Sequence, residues 1–242
     1  MKAYLGSDIG KTRQENQDSI RAESFPDGVL ALVCDGMGGM QNGSAASKIA
    51  VAAAEERFCA DYESGMPEEA VCELLRNCAA DANQKVYQAA VRSQMRARMG
   101  TTLVGAFARD DTVCIVNVGD SRAYLLPAEG ELEQLTVDHT VVQLLYEQGT
   151  ITAEERATHI RRNELIRAIG VSSRVLADTQ TVTLSEGDRL LLCSDGLYSM
   201  VEEERIAELM RENPPEQLPE LLIAEANEQG GRDNISVILL VK

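Results

Sequence analysis

The sequence lacks the features that would place it in a membrane or on nucleic acid. It has only 23 Lys and Arg residues against 39 Asp and Glu, for a net charge of -16. That balance argues against nucleic acid or an anionic membrane surface as the main partner, because either would repel the chain. No apolar run reaches about 18 residues, so no membrane span is predicted. The start, MKAYLGSDIG, lacks the apolar core of a signal peptide.

Paired cysteine motifs are also missing. None of the 6 cysteines belongs to a CxxC pair. Cys34, Cys114 and Cys193 lie in apolar, strand-like runs, where cysteine usually acts as a small hydrophobic residue. A reducing cytoplasm is the simplest setting, so we expect a cytoplasmic protein. No repeat, low-complexity tract or linker divides the chain, and we expect one domain over residues 1–242.

What the sequence does contain is a series of short apolar runs separated by turn residues, a pattern that predicts strands. Residues 103–136 are interpreted as a β-meander and residues 179–193 as a hairpin, so the sheet is expected to be largely antiparallel. Two long helices are predicted over residues 45–62, with Ser44 as a possible N-cap, and over residues 67–93.

Residues 138–170 depart from the strand pattern. They carry two short helix candidates and the basic pair Arg161-Arg162, against the acidic trend of the chain. Two interpretations stay open, a mobile flap and an ordinary helical connection. We hypothesise that substrate choice lies in this segment, because of its position and its basic pair.

Aspartates stand at the ends of the apolar strands. Asp35, Asp120 and Asp195 each follow such a run, and Asp233 precedes the last one. In an antiparallel sheet the end of one strand lies beside the start of its neighbour, so Asp233 can reach the same edge as the others. The alternative is four unrelated turn residues.

Four carboxylates at one sheet edge would repel one another. Two like charges about 4 Å apart cost on the order of 4 kcal/mol at an effective dielectric of about 20. Protonation or hard divalent cations would offset this repulsion. No histidine or thiolate stands at the matching places, and oxygen-only ligands favour Mg²⁺ or Mn²⁺ over zinc.

With these residues in view, the sequence resembles the protein phosphatase 2C family of metal-dependent Ser/Thr phosphatases, in its bacterial style. The resemblance covers nearly the whole chain, and its motifs occur in the family's order: SDIGKTRQENQDS, CDGMGG, MGTT, NVGDSRAY, DHT, RNELIRAIG, LLCSDGL and GGRDNISVILL. It implies an α+β fold, a four-layer α/β/β/α sandwich in which two mostly antiparallel sheets are flanked by helices. It also implies two Mn²⁺ or Mg²⁺ ions at one edge, with a possible third.

The resemblance also implies a role for each matching residue. Asp35 would bridge both ions, and Gly36 would offer its backbone carbonyl. The remaining roles are Asp195 and Asp233 as ligands, Asp18 as a contact through water, Asp120 as a third-ion ligand and Arg13 as the phosphate-binding residue. A hydroxide shared by the two ions would then attack phosphorus in line.

Three positions depart from the family's pattern. Gln17 stands where animal members have a glutamate. Met37 and Met40 stand where relatives place a histidine, so no general acid is named. His139 and His159 are the only two histidines, and His159 is interpreted as a surface residue.

Three functions remain open at this stage. The chain would be a phosphatase for phosphoserine and phosphothreonine in proteins, a phosphatase for other phosphoesters, or a pseudophosphatase-like module that binds phosphoproteins without turnover. The complete set of aspartates favours an active enzyme. We expect a monomeric catalytic domain that acts on phosphorylated proteins, opposes a bacterial Ser/Thr kinase, and binds neither nucleic acid nor membrane.

Overall fold

The computed structural model of the chain describes residues 1–38, 42–93 and 99–242. Gly39, Met40 and Gln41 lie outside the described residues, and so does the Met40 position considered above. Two antiparallel sheets form the centre of the molecule. The first sheet has the order β2-β3-β5-β6-β9, and β4 pairs with the end of β3. Its strands are β2 (Asp18–Ser24), β3 (Gly28–Met37), β4 (Gly100–Thr101), β5 (Leu103–Arg109), β6 (Thr112–Val118) and β9 (Asp178–Thr183).

The second sheet has the order β1-β11-β10-β7-β8. It is formed by β1 (Lys2–Asp8), β7 (Arg122–Leu126), β8 (Glu133–Gln134), β10 (Arg189–Cys193) and β11 (Ile235–Val241). Side chains on β10 alternate between two faces, as the two-residue period of a strand requires. Leu190 and Leu192 pack between the two sheets, whereas Leu191 and Cys193 pack under the helices. Both faces of the strand are covered, which explains its continuous apolar run.

Helices cover the outer face of each sheet. On the first sheet lie α1 (Asn42–Asp61) and α2 (Glu68–Arg92), packed on a core that includes Phe58 and Phe107. The second sheet is covered by α5 (Asp195–Tyr198), α6 (Glu203–Glu212) and α7 (Leu218–Glu228). A third core lies between the sheets. The predicted four-layer α/β/β/α sandwich is therefore confirmed.

Two predicted connections are wrong. β6 and β7 lie in different sheets, so the chain crosses between the sheets at Gly119-Asp120 instead of continuing a meander. β9 and β10 likewise lie in different sheets and do not form a hairpin. The predicted turn at 185–188 exists, and the Asp188 carboxylate accepts hydrogen bonds from the backbone N–H groups of Ser185 and Ala128. The hydrophobic pattern predicts where these strands lie in the sequence. Because both faces of each strand are buried, the pattern does not indicate which of the two sheets a strand joins.

Ser44 is not the N-cap of α1, because the helix begins at Asn42 and Ser44 is buried within its first turn. Residues 138–170 contain α3 (Val141–Glu147) and α4 (Ala153–Thr158), close to the predicted helices. A bridge from Thr140 to Leu165 joins the two ends of this segment, and a bridge from Ile169 to Thr101 ties it to β4. Among the described residues, no helix has the length and apolar character needed to cross a membrane.

Candidate metal centre

Asp35 lies directly opposite Asp18 in the antiparallel pair of β3 and β2. Two like charges in that relation destabilise a sheet unless something offsets them. The backbone of Asp35 is held on both sides by threonines. Its N–H donates to Thr102 Oγ1 at 2.9 Å, and its carbonyl accepts from Thr102 N at 2.8 Å and from Thr101 Oγ1 at 2.7 Å. These bonds fix the position from which the carboxylate projects.

Gly36 follows at a point where the chain has no room for a side chain. A Cβ atom there would lie 2.6 Å from the carbonyl oxygen of Gln17 and closer still to that of Gly43. The Gly36 N–H donates to the same Gln17 carbonyl at 3.1 Å. Only glycine allows these three backbone segments to meet, and their approach places Gly36 beside Asp35 at the sheet edge.

Asp195 and Asp233 meet because β10 and β11 are antiparallel neighbours, as the sequence predicted. Asp195 begins α5 just after β10, and Asp233 precedes β11. Asp233 Oδ1 accepts from the N–H of Asn234 at 2.8 Å, and Asp233 Oδ2 accepts from Arg13 Nη2 at 2.6 Å. The predicted phosphate-binding arginine is therefore in contact with a predicted metal ligand.

Asp18 is buried, with only 7% of its surface exposed. Its Oδ2 accepts from Ser194 Oγ at 2.7 Å, and Ser194 Oγ in turn accepts from the Ser236 N–H at 3.0 Å. Asp18 Oδ1 and Asp195 Oδ1 are buried without a hydrogen-bond donor among the described residues. Buried carboxylate oxygens normally have partners, so these two need either a proton or a cation.

The carboxyl groups hold protons more tightly than isolated aspartates do. Burial, with Asp233 as the largest charged contributor in each case, raises the pKa of Asp18 to about 6 and that of Asp195 to about 7. Burial and the charges of Asp18 and Asp195 raise the pKa of Asp35 well above its usual value. Burial and the Asp195 charge do the same for Asp120. Ionising these carboxyl groups is costly because they are buried and repel one another. A bound divalent cation would offset that repulsion, so the cluster is suited to cation binding.

A cavity of about 1070 Å³ opens over this cluster. Its wall brings together six of the predicted site residues, Arg13, Asp35, Gly36, Asp120, Asp195 and Asp233. Asp18 lies behind the wall. Arg161 and Arg162 are not among the described residues that line the cavity, and Arg161 pairs instead with Glu164 at 2.6 Å.

Sequence reasoning missed several residues of the site. Arg167, Glu164 and Ile166 line the cavity from the segment 138–170. Thr102 also lines it and holds Asp35. All four lie inside the motifs MGTT and RNELIRAIG, so membership of a matched motif was the available signal, together with a polar side chain for every one except Ile166.

The cysteines beside the aspartates are packing residues. Cys34 and Cys193 are fully buried in the cores of their sheets. Burial raises the pKa of the Cys193 thiol to about 12 and raises that of Cys34 further. A thiol that stays protonated is a poor nucleophile, so neither cysteine is a candidate for one.

The donor set fits hard divalent cations in its chemistry. It consists of carboxylate oxygens, two of which are buried without a donor. Within the described ranges, however, no group of three or more carboxylate, imidazole or thiolate side chains is gathered closely enough to form a coordination set as it stands. Arg13 forms a salt bridge with Asp233 Oδ2, so this oxygen is free to coordinate a cation only if the salt bridge opens.

Comparisons with known proteins agree with this chemistry. The family profile of protein phosphatase 2C matches residues 6–219. The chain is 36% identical over 242 residues to the serine/threonine phosphatase stp of Listeria monocytogenes, covering 99% of this chain and 95% of that protein. The structure of the S. agalactiae serine/threonine phosphatase matches with a TM-score of 0.92 at 31% identity, over 100% of this chain and 99% of that one.

A second solved structure is that of the catalytic domain of the serine/threonine protein phosphatase PstP, in complex with two manganese ions. It matches with a TM-score of 0.85 at 32% identity, over 98% of this chain and 96% of that one. The chain belongs to the protein phosphatase 2C family. It is a protein serine/threonine phosphatase, which confirms the enzyme class predicted from the sequence.

Proposed function

We propose that this chain hydrolyses phosphoserine and phosphothreonine in proteins with the aid of two divalent cations, Mn²⁺ or Mg²⁺. The observation that carries the proposal is the shared cavity. Four strand-end aspartates and one arginine, from five separate segments, line a single cavity at the edge of the two sheets. The two manganese ions in the related PstP structure support the choice of cation.

In this proposal Asp35, the carbonyl of Gly36, Asp195 and Asp233 hold the two cations. Asp18 orients bound water, and Asp120 with Asp195 holds a third, weaker cation. When bound, the two cations lower the pKa of a shared water, so that hydroxide is available near neutral pH to attack phosphorus. The protein contributes fixed geometry through the threonines on Asp35 and the serine on Asp18.

The remaining proposals concern the setting of the enzyme. Residues 1–242 would form one catalytic domain and act as a monomer in the cytoplasm. The substrates would be proteins phosphorylated by a Ser/Thr kinase. Residues 163–168 would meet the substrate, since they line the cavity, while Arg161 and Arg162 lie outside it. Light scattering of the active protein tests the monomer directly, and an active dimer would contradict it.

The activity is tested with phosphopeptides that differ only in the phosphorylated residue. We expect phosphate release from phosphoserine and phosphothreonine peptides with Mn²⁺ or Mg²⁺, and none with EDTA. Preference for phosphotyrosine or small aryl phosphates would favour the broader phosphoester enzyme. Binding of phosphopeptides without turnover, with every cation tried, would favour the pseudophosphatase.

Arg13 gives a second test of the site. We expect Arg13→Ala to raise KM for a phosphopeptide about 10- to 100-fold, the effect of losing one charge-assisted hydrogen bond. Arg13→Lys should recover only part of the loss, because lysine lacks the planar fork that matches a phosphate. The matched control is Arg21→Ala, since Arg21 is an exposed arginine paired with Glu55. If Arg13→Ala changed only the Mn²⁺ dependence, its role would be confined to Asp233.

A further inference from the structure

His139 is buried at the start of the segment 138–170, with 4% of its surface exposed. It does not line the cavity, yet it bonds two stretches of chain that reach it, the turn before Asp120 and residues 166–167. We propose that His139 is a positioning residue that sets the turn carrying Asp120 and links that turn to the cavity wall formed by Ile166 and Arg167. This inference rests on the proposed role of Asp120 as a cation ligand.

The first contact is with Gly119, immediately before Asp120. The Gly119 N–H donates to His139 Nδ1 at 3.1 Å, and the His139 backbone N–H donates to the Gly119 carbonyl at 2.9 Å. Gly119 has a φ of +109°, and a Cβ atom there would lie 2.6 Å from Thr102 Cγ2. Residues other than glycine rarely adopt this backbone conformation. His139 forms hydrogen bonds with both the N–H and the carbonyl of Gly119.

The second contact follows from the first. Because Nδ1 accepts a hydrogen bond, a neutral His139 carries its proton on Nε2. Nε2 lies 3.0 Å from Asp178 Oδ2, the acceptor to which this tautomer donates, and 3.1 Å from Arg167 Nη1. Asp178 Oδ1 accepts from Arg167 Nη1 at 2.9 Å. Asp178 thus joins the imidazole to a guanidinium on the cavity wall.

The third contact is made by the His139 backbone carbonyl, which accepts from the Ile166 N–H at 2.8 Å. One buried residue therefore bonds the Asp120 turn on one side and two adjacent wall residues on the other. A shift of Ile166 and Arg167 on substrate binding would be transmitted to Asp120 through the backbone and the side chain of His139. Thr102, which holds Asp35, bonds Ser121 on the far side of the same turn at 2.6 Å.

Two variants separate the two ring nitrogens of His139. His139→Asn keeps an acceptor near the position of Nδ1 and loses the group at Nε2. His139→Gln does the reverse. We expect His139→Gln to weaken Mn²⁺ binding at the weakest site by about 10- to 100-fold, the usual cost of losing a residue that orients a ligand. His139→Asn should recover most of that affinity.

The measurement is a calorimetric Mn²⁺ titration of each full-length variant, with thermal melting to confirm that each one is folded. The control is His159→Asn, because His159 Nδ1 accepts from the Arg161 N–H within its own segment. This variant should titrate as the wild type does. Equal Mn²⁺ affinity in His139→Gln and wild type would overturn the inference. A wild type that hydrolyses no phosphopeptide would instead overturn the proposed function, so the two failures are distinguishable.

Discussion

Replacing Asp35 with asparagine is expected to abolish most of the phosphatase activity and, at the same time, to stabilise the metal-free protein. Asp35 lies at the centre of the cluster, where burial and the charges of Asp18, Asp195, Asp120 and Asp233 all raise its pKa. Asparagine has nearly the same shape and leaves the threonine bonds to the backbone of this residue unchanged. The substitution removes the negative charge and replaces one carboxylate oxygen with an NH₂ group.

The two effects have the same cause. A shared carboxylate contributes several kcal/mol to holding cations and offsetting transition-state charge, so its loss should lower kcat/KM by roughly 1,000-fold or more. Without cations the same charge only repels its neighbours. Removing it should raise the Tm of EDTA-treated protein by at least about 2 °C, the shift that about 1 kcal/mol produces in a chain of this size.

Asp110→Asn is the matched control for this variant. Asp110 is exposed in the turn between β5 and β6, at the opposite end of β5 from Thr102, and its φ of +54° is one that asparagine tolerates. Asp110→Asn removes the same single negative charge as Asp35→Asn does, from a chain of net charge -16. If both variants raised Tm equally, general charge would explain the gain. If Asp35→Asn stayed active, the assignment of Asp35 as the shared ligand would be wrong.

The positions of these aspartates were predictable because they follow from local rules. A carboxylate marks where the apolar run of a doubly covered strand stops, and antiparallel pairing brings the end of β10 beside the start of β11. The register that sets Asp18 opposite Asp35 follows from the tight turn between β2 and β3. The sequence therefore located the edge of the sheet where the carboxylates meet.

What the sequence did not locate depends on contacts between distant segments. Packing between the layers decides which sheet β7 and β10 join. The sequence of a strand that is buried on both faces does not encode that choice. The roles of Thr102 and His139 depend on side chains that meet across 67 and 20 residues of chain. The basic pair Arg161-Arg162 drew attention by its charge, whereas Arg167 lies on the cavity wall.

The metal-free protein is also expected to lose stability as the pH rises from about 4 to about 7. An aspartate usually titrates near 3.8, whereas the folded chain raises the pKa of Asp18 to about 6 and that of Asp195 to about 7. Between these values the folded chain holds protons that the unfolded chain has released. The free energy of unfolding then falls by about 1.4 kcal/mol per pH unit for each extra proton held.

The sign follows from the direction of the pKa shifts. This contribution is fully present below the usual aspartate pKa and is lost as the pH passes about 6 and then about 7. Melting curves of dialysed protein across that range measure it. Asp195→Asn should flatten the slope, because it removes one of the titrating groups, whereas Asp110→Asn should leave the slope unchanged. A Tm that rises steadily over the same range would contradict the prediction.

Mn²⁺ should reverse the trend. Carboxylates bind the ion only after they release their protons, so the stabilisation by a fixed Mn²⁺ concentration should grow from about pH 5 to about pH 8. The same ionised cluster that weakens the metal-free fold at high pH then becomes the cation site. A Mn²⁺-induced rise in Tm that is larger in wild type than in Asp35→Asn, and larger at the higher pH, would tie both effects to this cluster. An equal rise in both proteins would place the stabilising ion elsewhere.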